Sequence, residues 1–400
     1  VLQETSPRYR GYRSFDYLEP HRDYKVFELA PEIGRVPEHD LGLTDAQRAR
    51  VSRLLAEHIA ISLHEHPKIL PADVSQLREY NRTGRNAFGF EGMARSGLTA
   101  VFDNFMNGTG CVTSEHAWKW DDVIYDIGLR FADIAKQDHV VVATTLAEIY
   151  AAKRNGQIAL VAGLEAATMI ENELDRIDIL YGFGVRQMGI AYSQANMLGS
   201  GLSEDRDGGL THFGRRAVDR MNKLGIAIDI SHSGDQTSLD VIEASRVPVF
   251  ITHAGARAVW NTPRMKPDEV IRACAERGGV IGIEAAPHTT LSAAHPHHSL
   301  ESVMDHFTYC VDLVGIDHVT FGPDTMFGDH VGVHDTFAGN YAHDAGERPE
   351  HPRVPYVAGV ENPGEAFGNI VGWLVAHDYS DDEIAKVIGG NTLRVLEQVW

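Results

Sequence analysis

Eight short apolar runs recur along the chain, and that rhythm restricts its fold more than any other feature. They fall at 60–63 (AISL), 99–103 (TAVFD), 158–164 (IALVAGL), 187–191 (QMGIA), 226–230 (IAIDI), 248–252 (PVFIT), 279–283 (GVIGI) and 318–322 (HVTFG). Apolar runs without strict alternation suit strands buried on both faces, as parallel strands are. Helical patterns precede several of them. Val218, Met221 and Leu224 lie at helical spacing, Gly225 ends that helix, and "IAIDISH" follows at once. Pro267-Asp268-Glu269 opens a helix through Val270, Ile271 and Cys274, which Gly278-Gly279 closes before "VIGIEA". Eight strands alternating with helices predict a (β/α)8 barrel of the TIM type. An open doubly wound sheet is the alternative that the pattern leaves.

Ahead of the first run, residues 1–43 are rich in Arg, Tyr, Pro and acidic side chains and read as an extended N-terminal arm. Thr44-Asp45 then caps a helix with Val51, Leu54, Leu55 and Ile59 on one face, and residues 44–400 read as a single barrel domain. Ser380 with Glu383 forms a capping box for a C-terminal helix. The stretch 325–365, rich in His, Gly, Pro and Asp, is a long loop after the eighth strand, and such loops are lids, binding loops or partner contacts. A 43% apolar fraction supplies one large core, while a net charge of -20 argues against nucleic acid or an anionic membrane as partner. No apolar run approaches the roughly 18 residues of a membrane span. Residues 1–25 show no signal-peptide core, although a chain starting at Val1 leaves a removed leader open. Cys111, Cys274 and Cys310 make neither a disulfide framework nor a CxxC pattern, which fits a reducing cytoplasm.

In a barrel the chemistry sits at the C-terminal ends of the strands. The first run ends in His64-Glu65-His66, the third in Glu165, the fourth in Tyr192, the fifth in His232, the sixth in His253 and the eighth in Asp324. A histidine at one strand end is ordinarily a hydrogen-bonded rim residue. Imidazoles and carboxylates at so many ends of the same rim are instead the ligand types of zinc and similar ions. His64 and His66 alternate, so they point to one side of their strand and Glu65 to the other. Four histidines and two carboxylates are too many for one tetrahedral zinc with an open position. They suit two divalent ions, expected to be zinc, that share a carboxylate and a water. Such a pair makes hydroxide available near neutral pH. Asp324 can take the proton and deliver it to a leaving amine. The implied reaction class is metal-assisted hydrolysis.

From about residue 56 onward the chain resembles the membrane (renal) dipeptidase family of the amidohydrolase superfamily, in its bacterial-type form. The resemblance rests on "GVRQMGIAYSQANMLGSG", "GLTHFG", "LGIAIDISH", "PVFITH" and "RMKPDE" in that order, and on the closing helix "IAKVIGGNTLRVLEQV". It implies a (β/α)8 barrel with a binuclear zinc site that acts on a small dipeptide-like substrate, in a homodimer. It also implies that Glu165 bridges the ions, that His232 and His253 hold the second ion, and that Asp324 handles the proton. Arg264 matches the arginine that holds the dipeptide's C-terminal carboxylate.

Three positions depart from the family. His66 stands where the family usually has an aspartate, so the ligand set loses one negative charge. Tyr192 replaces the histidine that renal-type members carry near the scissile carbonyl, and its phenol can donate to an oxyanion. Glu284, followed by Ala285 and Ala286, replaces an Asn-Phe-Tyr type sequence and alters the substrate pocket. These changes keep open an enzyme for an N-acyl amino acid, a lactone or a catabolic intermediate. A barrel that only binds is the remaining alternative, and the retained ligand set argues against it. His288, His295, His297, His298, His306, His330, His334, His343 and His351 read as loop or lid histidines rather than a second metal site. Asp103 and Asn104 are expected to support the site by hydrogen bonds. Acidic groups at 121–126 and 381–383 read as solvated helix faces and caps.

Overall fold

Nine parallel strands form one sheet: β1 (Ile61–Glu65), β2 (Ala100–Asn104), β3 (Val140–Val142), β4 (Ile158–Leu164), β5 (Val185–Gly189), β6 (Ala227–Asp229), β7 (Phe250–Ala254), β8 (Val280–Ile283) and β9 (Val319–Phe321). The computed structural model describes residues 2–105, 119–340 and 350–400. Eight of the strands follow one another in the order β1-β2-β4-β5-β6-β7-β8-β9, while β3 pairs only with the start of β4. Beyond its pairing with β3, β4 continues alongside β5. The two ends of the path meet at the rim. The Asp324 N–H donates to the His64 carbonyl at 3.0 Å and the His66 N–H to the Thr325 carbonyl at 3.0 Å. With helices between the strands, the result is a nearly closed (β/α)8 barrel. Each of the eight predicted runs overlaps a strand of the path. The short β3 and the helix Leu146–Asn155 after it are additions to the predicted pattern, while the helix Trp120–Ile134 contains the acidic helix face expected at 121–126.

The caps act as the sequence suggests. Thr44 accepts from the Gln47 N–H in a capping box at the start of the helix Asp45–Glu57, and Ser380 does the same with Glu383. Gly225 ends His212–Leu224 at φ +77, a conformation in which glycine has no Cβ to strain. Residues 2–43 consist of turns and isolated bridges and lie along the barrel. Asp133 fastens them, accepting from the Tyr12 hydroxyl (2.7 Å), the Ser14 hydroxyl (2.6 Å) and the Phe15 N–H (2.9 Å). Alternation along β1 sends Ile61 and Leu63 into an apolar cluster with Val395 and Leu396 of the last helix.

Part of the predicted long loop is helical, at His330–Asn340, which shortens the irregular stretch that follows β9. Cys111 and His343 lie outside the described residues, whereas Cys274 and Cys310 are buried free thiols. No helix among the described residues is long and apolar enough to cross a membrane.

Two glycines allow the strand ends to approach closely. A Cβ on Gly189 would stand 1.9 Å from the Glu165 carbonyl oxygen, and one on Gly322 would stand 2.2 Å from the Thr252 carbonyl oxygen and 3.1 Å from the His64 nitrogen. Backbone cannot give way there without moving the strands that carry the site. Gly322→Ala is therefore expected to cost about 1–3 kcal/mol, visible as a lowered denaturation midpoint. An unchanged midpoint would show that the strand ends are not packed this closely.

Candidate metal centre

Glu165, directly after β4, lies between two histidine pairs. His232 Nε2 is 2.8 Å and His253 Nε2 3.1 Å from its Oε1. On the other side, His64 Nε2 is 3.9 Å from Oε1 and His66 Nε2 3.8 Å from Oε2. The paired ring nitrogens are themselves close, 3.3 Å between His64 and His66 and 2.9 Å between His232 and His253. Asp324 Oδ1 completes the first pair at 3.5 Å from His64 and 3.3 Å from His66. All six predicted ligands thus converge. Donor atoms within 4.8 Å of one another occur in the sets His64–His66–Asp324, His64–Glu165–His253 and His253–Glu284–Asp324. Glu284 thereby stands at the edge of the ligand cluster, closer than a residue of the pocket floor was expected to come.

Several side chains outside that set hold it in place. His66 Nδ1 faces the Asn104 carbonyl at 2.9 Å, which puts the proton of the neutral ring on Nδ1 and leaves Nε2 a lone pair. Asn104 thus supports the site through its backbone, while the Asp103 carboxylate pairs with Arg130 at 3.0 Å. Asp229, the last residue of β6, was not singled out in the sequence. Its Oδ1 accepts from the Ser231 N–H (3.0 Å), the Ser231 hydroxyl (2.6 Å) and the Thr252 N–H (3.0 Å). The Ser231 hydroxyl in turn receives the His253 N–H at 3.1 Å, so one buried carboxylate ties the His232 and His253 strand ends together. Its position just before "ISH" is the one signal the sequence offers. Glu65 does point away from the histidines, yet it is buried. It accepts from the Thr325 N–H (2.8 Å) and hydroxyl (2.7 Å) and fastens β1 to the segment after β9.

Burial decides the charge states. His232 and His253 are held well below the ordinary histidine value by desolvation, reinforced by Arg264 and neighbouring imidazoles. Desolvation also lowers His64 against the opposing pull of Asp324. Neutral imidazole is the form that binds metal. Burial raises Glu165 well above the usual carboxylate range, and the nearby Asp324 charge adds to this. For Asp324 burial acts upward, but the approach of His64 and His66 outweighs it and holds the group low. Neutral imidazoles around carboxylates that share a dry site fit a divalent cation, which would compensate both acids.

Around this cluster, the Tyr192 ring stacks on His232 with centroids 4.0 Å apart. Arg264 Nη2 donates to the His253 carbonyl at 3.0 Å and pairs with Glu284 Oε2. A cavity of about 260 Å³ opens at the end of β2, lined by Asp103, Asn104, Arg85, Arg130, Asp122 and Asp126. Asp122 and Asp126 therefore face a cavity rather than the solvated helix face expected of them. Two of the histidines expected in loops are structural, and His306 lies in the helix Leu300–Val314. His306 Nδ1 accepts from the Ala256 N–H at 2.9 Å, and His298 Nδ1 from the His288 N–H at 2.9 Å, both in buried positions.

A parallel barrel with imidazoles and carboxylates gathered at the C-terminal rim defines a class of metal-dependent barrel proteins. The membrane dipeptidase family, peptidase family M19, matches residues 48–336, and the chain belongs to that family. Among curated relatives, dipeptidase verJ of Clonostachys rogersoniana is 28% identical over 280 residues, covering 70% of this chain and 63% of that protein. Dipeptidase tcpJ of Claviceps purpurea is 26% identical over 62% of this chain and 52% of that protein. The chain thus matches less than two thirds of the length of these two relatives. An amidohydrolase from Pseudomonas aeruginosa superposes with a TM-score of 0.70 at 26% identity, covering 88% of this chain and 99% of that one. A metallopeptidase from Rhodobacter sphaeroides, liganded with a phosphinate mimic of the dipeptide L-Ala-D-Ala, shares the fold with a TM-score of 0.66 at 20% identity. It covers 86% of this chain and all of that one, which is 100% of its length.

Glu65 offers a test of the dry environment. Desolvation raises it from 4.5 to about 8, against the hydrogen bonds from Thr325 and Ser62. The folded protein then keeps a proton that the unfolded chain gives up, so the metal-free protein loses stability as pH rises between those two values. Glu65→Gln removes that dependence. Its stability relative to wild type is expected to improve from about pH 5 to about pH 8 in denaturant melts, and a difference that does not vary with pH contradicts the assignment.

Proposed function

We propose that the chain is a metal-dependent hydrolase that cleaves the amide bond of a dipeptide or a related small amide, with two divalent ions, zinc first among them. The observation that carries this reading is the Glu165 carboxylate between the pairs His64–His66 and His232–His253. His64, His66 and Asp324 would hold one ion, His232 and His253 the other, and Glu165 both. Membership of the membrane dipeptidase family supports the reaction class. Bound divalent ions supply an activated water near neutral pH and polarise a substrate carbonyl.

The remaining work falls to side chains. Asp324, kept ionised by His64 and His66, accepts the proton released by the attacking water and passes it to the leaving nitrogen. Tyr192, held by stacking on His232, donates its phenol proton in a hydrogen bond to the oxygen that gains charge. Arg264 faces the far end of the substrate. Strand-borne side chains locked by Asp229, Ser231 and the Asn104 carbonyl keep these groups aligned without reorganisation. A homodimer in a reducing compartment is the setting we assign to it. Glu284, beside Arg264, favours as a second reading a hydrolase of the same superfamily whose substrate is not a dipeptide.

Asp324→Asn is expected to lower kcat by roughly 10²–10⁴-fold, the usual worth of a positioned proton acceptor, while elemental analysis still finds metal in the purified variant. Full activity in that variant would remove Asp324 from proton transfer. Tyr192→Phe is expected to lower kcat by about 10²-fold with little change in KM. An equal loss through KM alone would make Tyr192 a binding residue instead.

A further inference from the structure

The cavity of about 260 Å³ at the end of β2 has none of the six rim ligands in its wall. Asp122, Asp126 and Arg130 line it from the helix Trp120–Ile134, four residues apart and therefore on one side of that helix. Tyr125, which is 58% exposed, also lines it, so the cavity opens to solvent.

Asp126 and Arg130 have the spacing of a helical ion pair, yet they do not pair. Arg130, only 8% exposed, instead meets Asp103 Oδ2 through Nε at 3.0 Å, and its guanidinium lies over the Phe88 ring at 4.9 Å. Those contacts take one edge and one face of the group. Nη1 and Nη2 have no hydrogen-bond partner among the described residues, and unlike Nε they are not shut off from solvent. A buried cation thus turns its two remaining donors toward the cavity.

One helical turn away stand acceptors that lack a cation. Asp126 receives the Asn86 amide on Oδ1 at 3.5 Å, while its Oδ2 has no partner and is not shut off from solvent. Asp122 has no hydrogen-bond or ion-pair partner among the described residues. Desolvation pushes Asp126 up to about 7 against the charges of Lys68 and Arg130, so a further cation beside it would favour the ionised form.

Four residues of helix separate Asp126 from Arg130 by about 6 Å along the axis. A carboxylate and an ammonium group carried on one carbon, each reached by a hydrogen bond of about 2.8 Å, bridge a gap of that order. The cavity is smaller than the roughly 300–1,000 Å³ of drug-sized ligand sites, which suits so small a molecule.

We propose that this cavity binds a free α-amino acid as a zwitterion, its carboxylate on Arg130 and its ammonium group on Asp126, with Asp122 beside it. The site is separate from the metal centre and does not depend on the reaction assigned there.

The experiment is calorimetric titration of the metal-loaded full chain with L-alanine, and with propionate and ethylamine, each of which carries one of its two charged groups. L-Alanine is expected to bind about tenfold more tightly than either, or better, the usual worth of a charged hydrogen bond. Asp126→Asn is expected to weaken L-alanine by about tenfold or more, and Arg130→Lys, which keeps the charge but loses the fork, to weaken it as well. Asp324→Asn, which alters the metal centre, is expected to leave this binding unchanged. Failure of wild type to bind L-alanine at millimolar concentration overturns the proposal, as does binding no tighter than that of propionate or ethylamine. Binding that Asp126→Asn leaves intact, or that Asp324→Asn abolishes, places the ligand elsewhere and overturns it too.

Discussion

Glu165 is buried, and among the described residues the basic side chains within 4.0 Å of its carboxylate are all histidines, with the Arg264 charge acting on it only from farther off. An ionised carboxylate in such a place costs several kcal/mol unless a cation compensates it. Imidazoles kept neutral by desolvation do not supply that charge. Protonating the acid relieves the cost in isolation, which is the direction its environment pushes it. A divalent cation would relieve it more completely, using the lone pairs that the neutral rings offer. The strand ends around Glu165 each contribute an imidazole, a carboxylate or a group that orients one.

The barrel makes this possible by closing where the chemistry is. Hydrogen bonds from Asp324 to the His64 carbonyl and from His66 to the Thr325 carbonyl join the two ends of the sheet path. Those same contacts bring the Asp324 carboxylate within 3.5 Å of the His64 ring nitrogen. Glu65 reinforces the closure from the opposite face of β1, and Asp229 plays the equivalent part between β6 and β7. Both are acids buried for structural reasons, next to acids that are buried for chemical ones. His66, where the family usually has an aspartate, keeps its place by presenting Nδ1 to the Asn104 carbonyl. Its Nε2 stands 3.3 Å from Asp324 Oδ1.

Much of this was legible in the sequence, for identifiable reasons. Strands of the path lie in runs apolar enough to mark themselves, and the residues that close those runs are the ones that reach the rim. Hence His64, His66, Glu165, His232, His253 and Asp324 could be named before any contact was known. The three-residue β3, no shorter than β6 and β9, is followed by Ala143, Thr144 and Thr145 rather than by an imidazole or carboxylate, and the segment after β9 hid a helix behind its glycines and histidines. Side-chain pairings between distant strand ends were illegible too. Nothing in "RMKPDE" or "IGIEAA" says that Arg264 and Glu284 touch, since the loop and the strand end that bear them meet only in the fold. The burial of His298 and His306 was likewise hidden, because histidine composition alone does not distinguish a solvated loop from a packed one.

Arg264 pairs with Glu284 at the edge of the same cluster, where a Glu284 oxygen approaches His253 and Asp324. The central claim is the bridging position of Glu165, and anomalous diffraction from crystals grown with zinc tests it most directly. Two peaks are expected, one between His64, His66 and Glu165 and one between His232, His253 and Glu165. A single peak not touching Glu165, or none at the rim, would contradict the account.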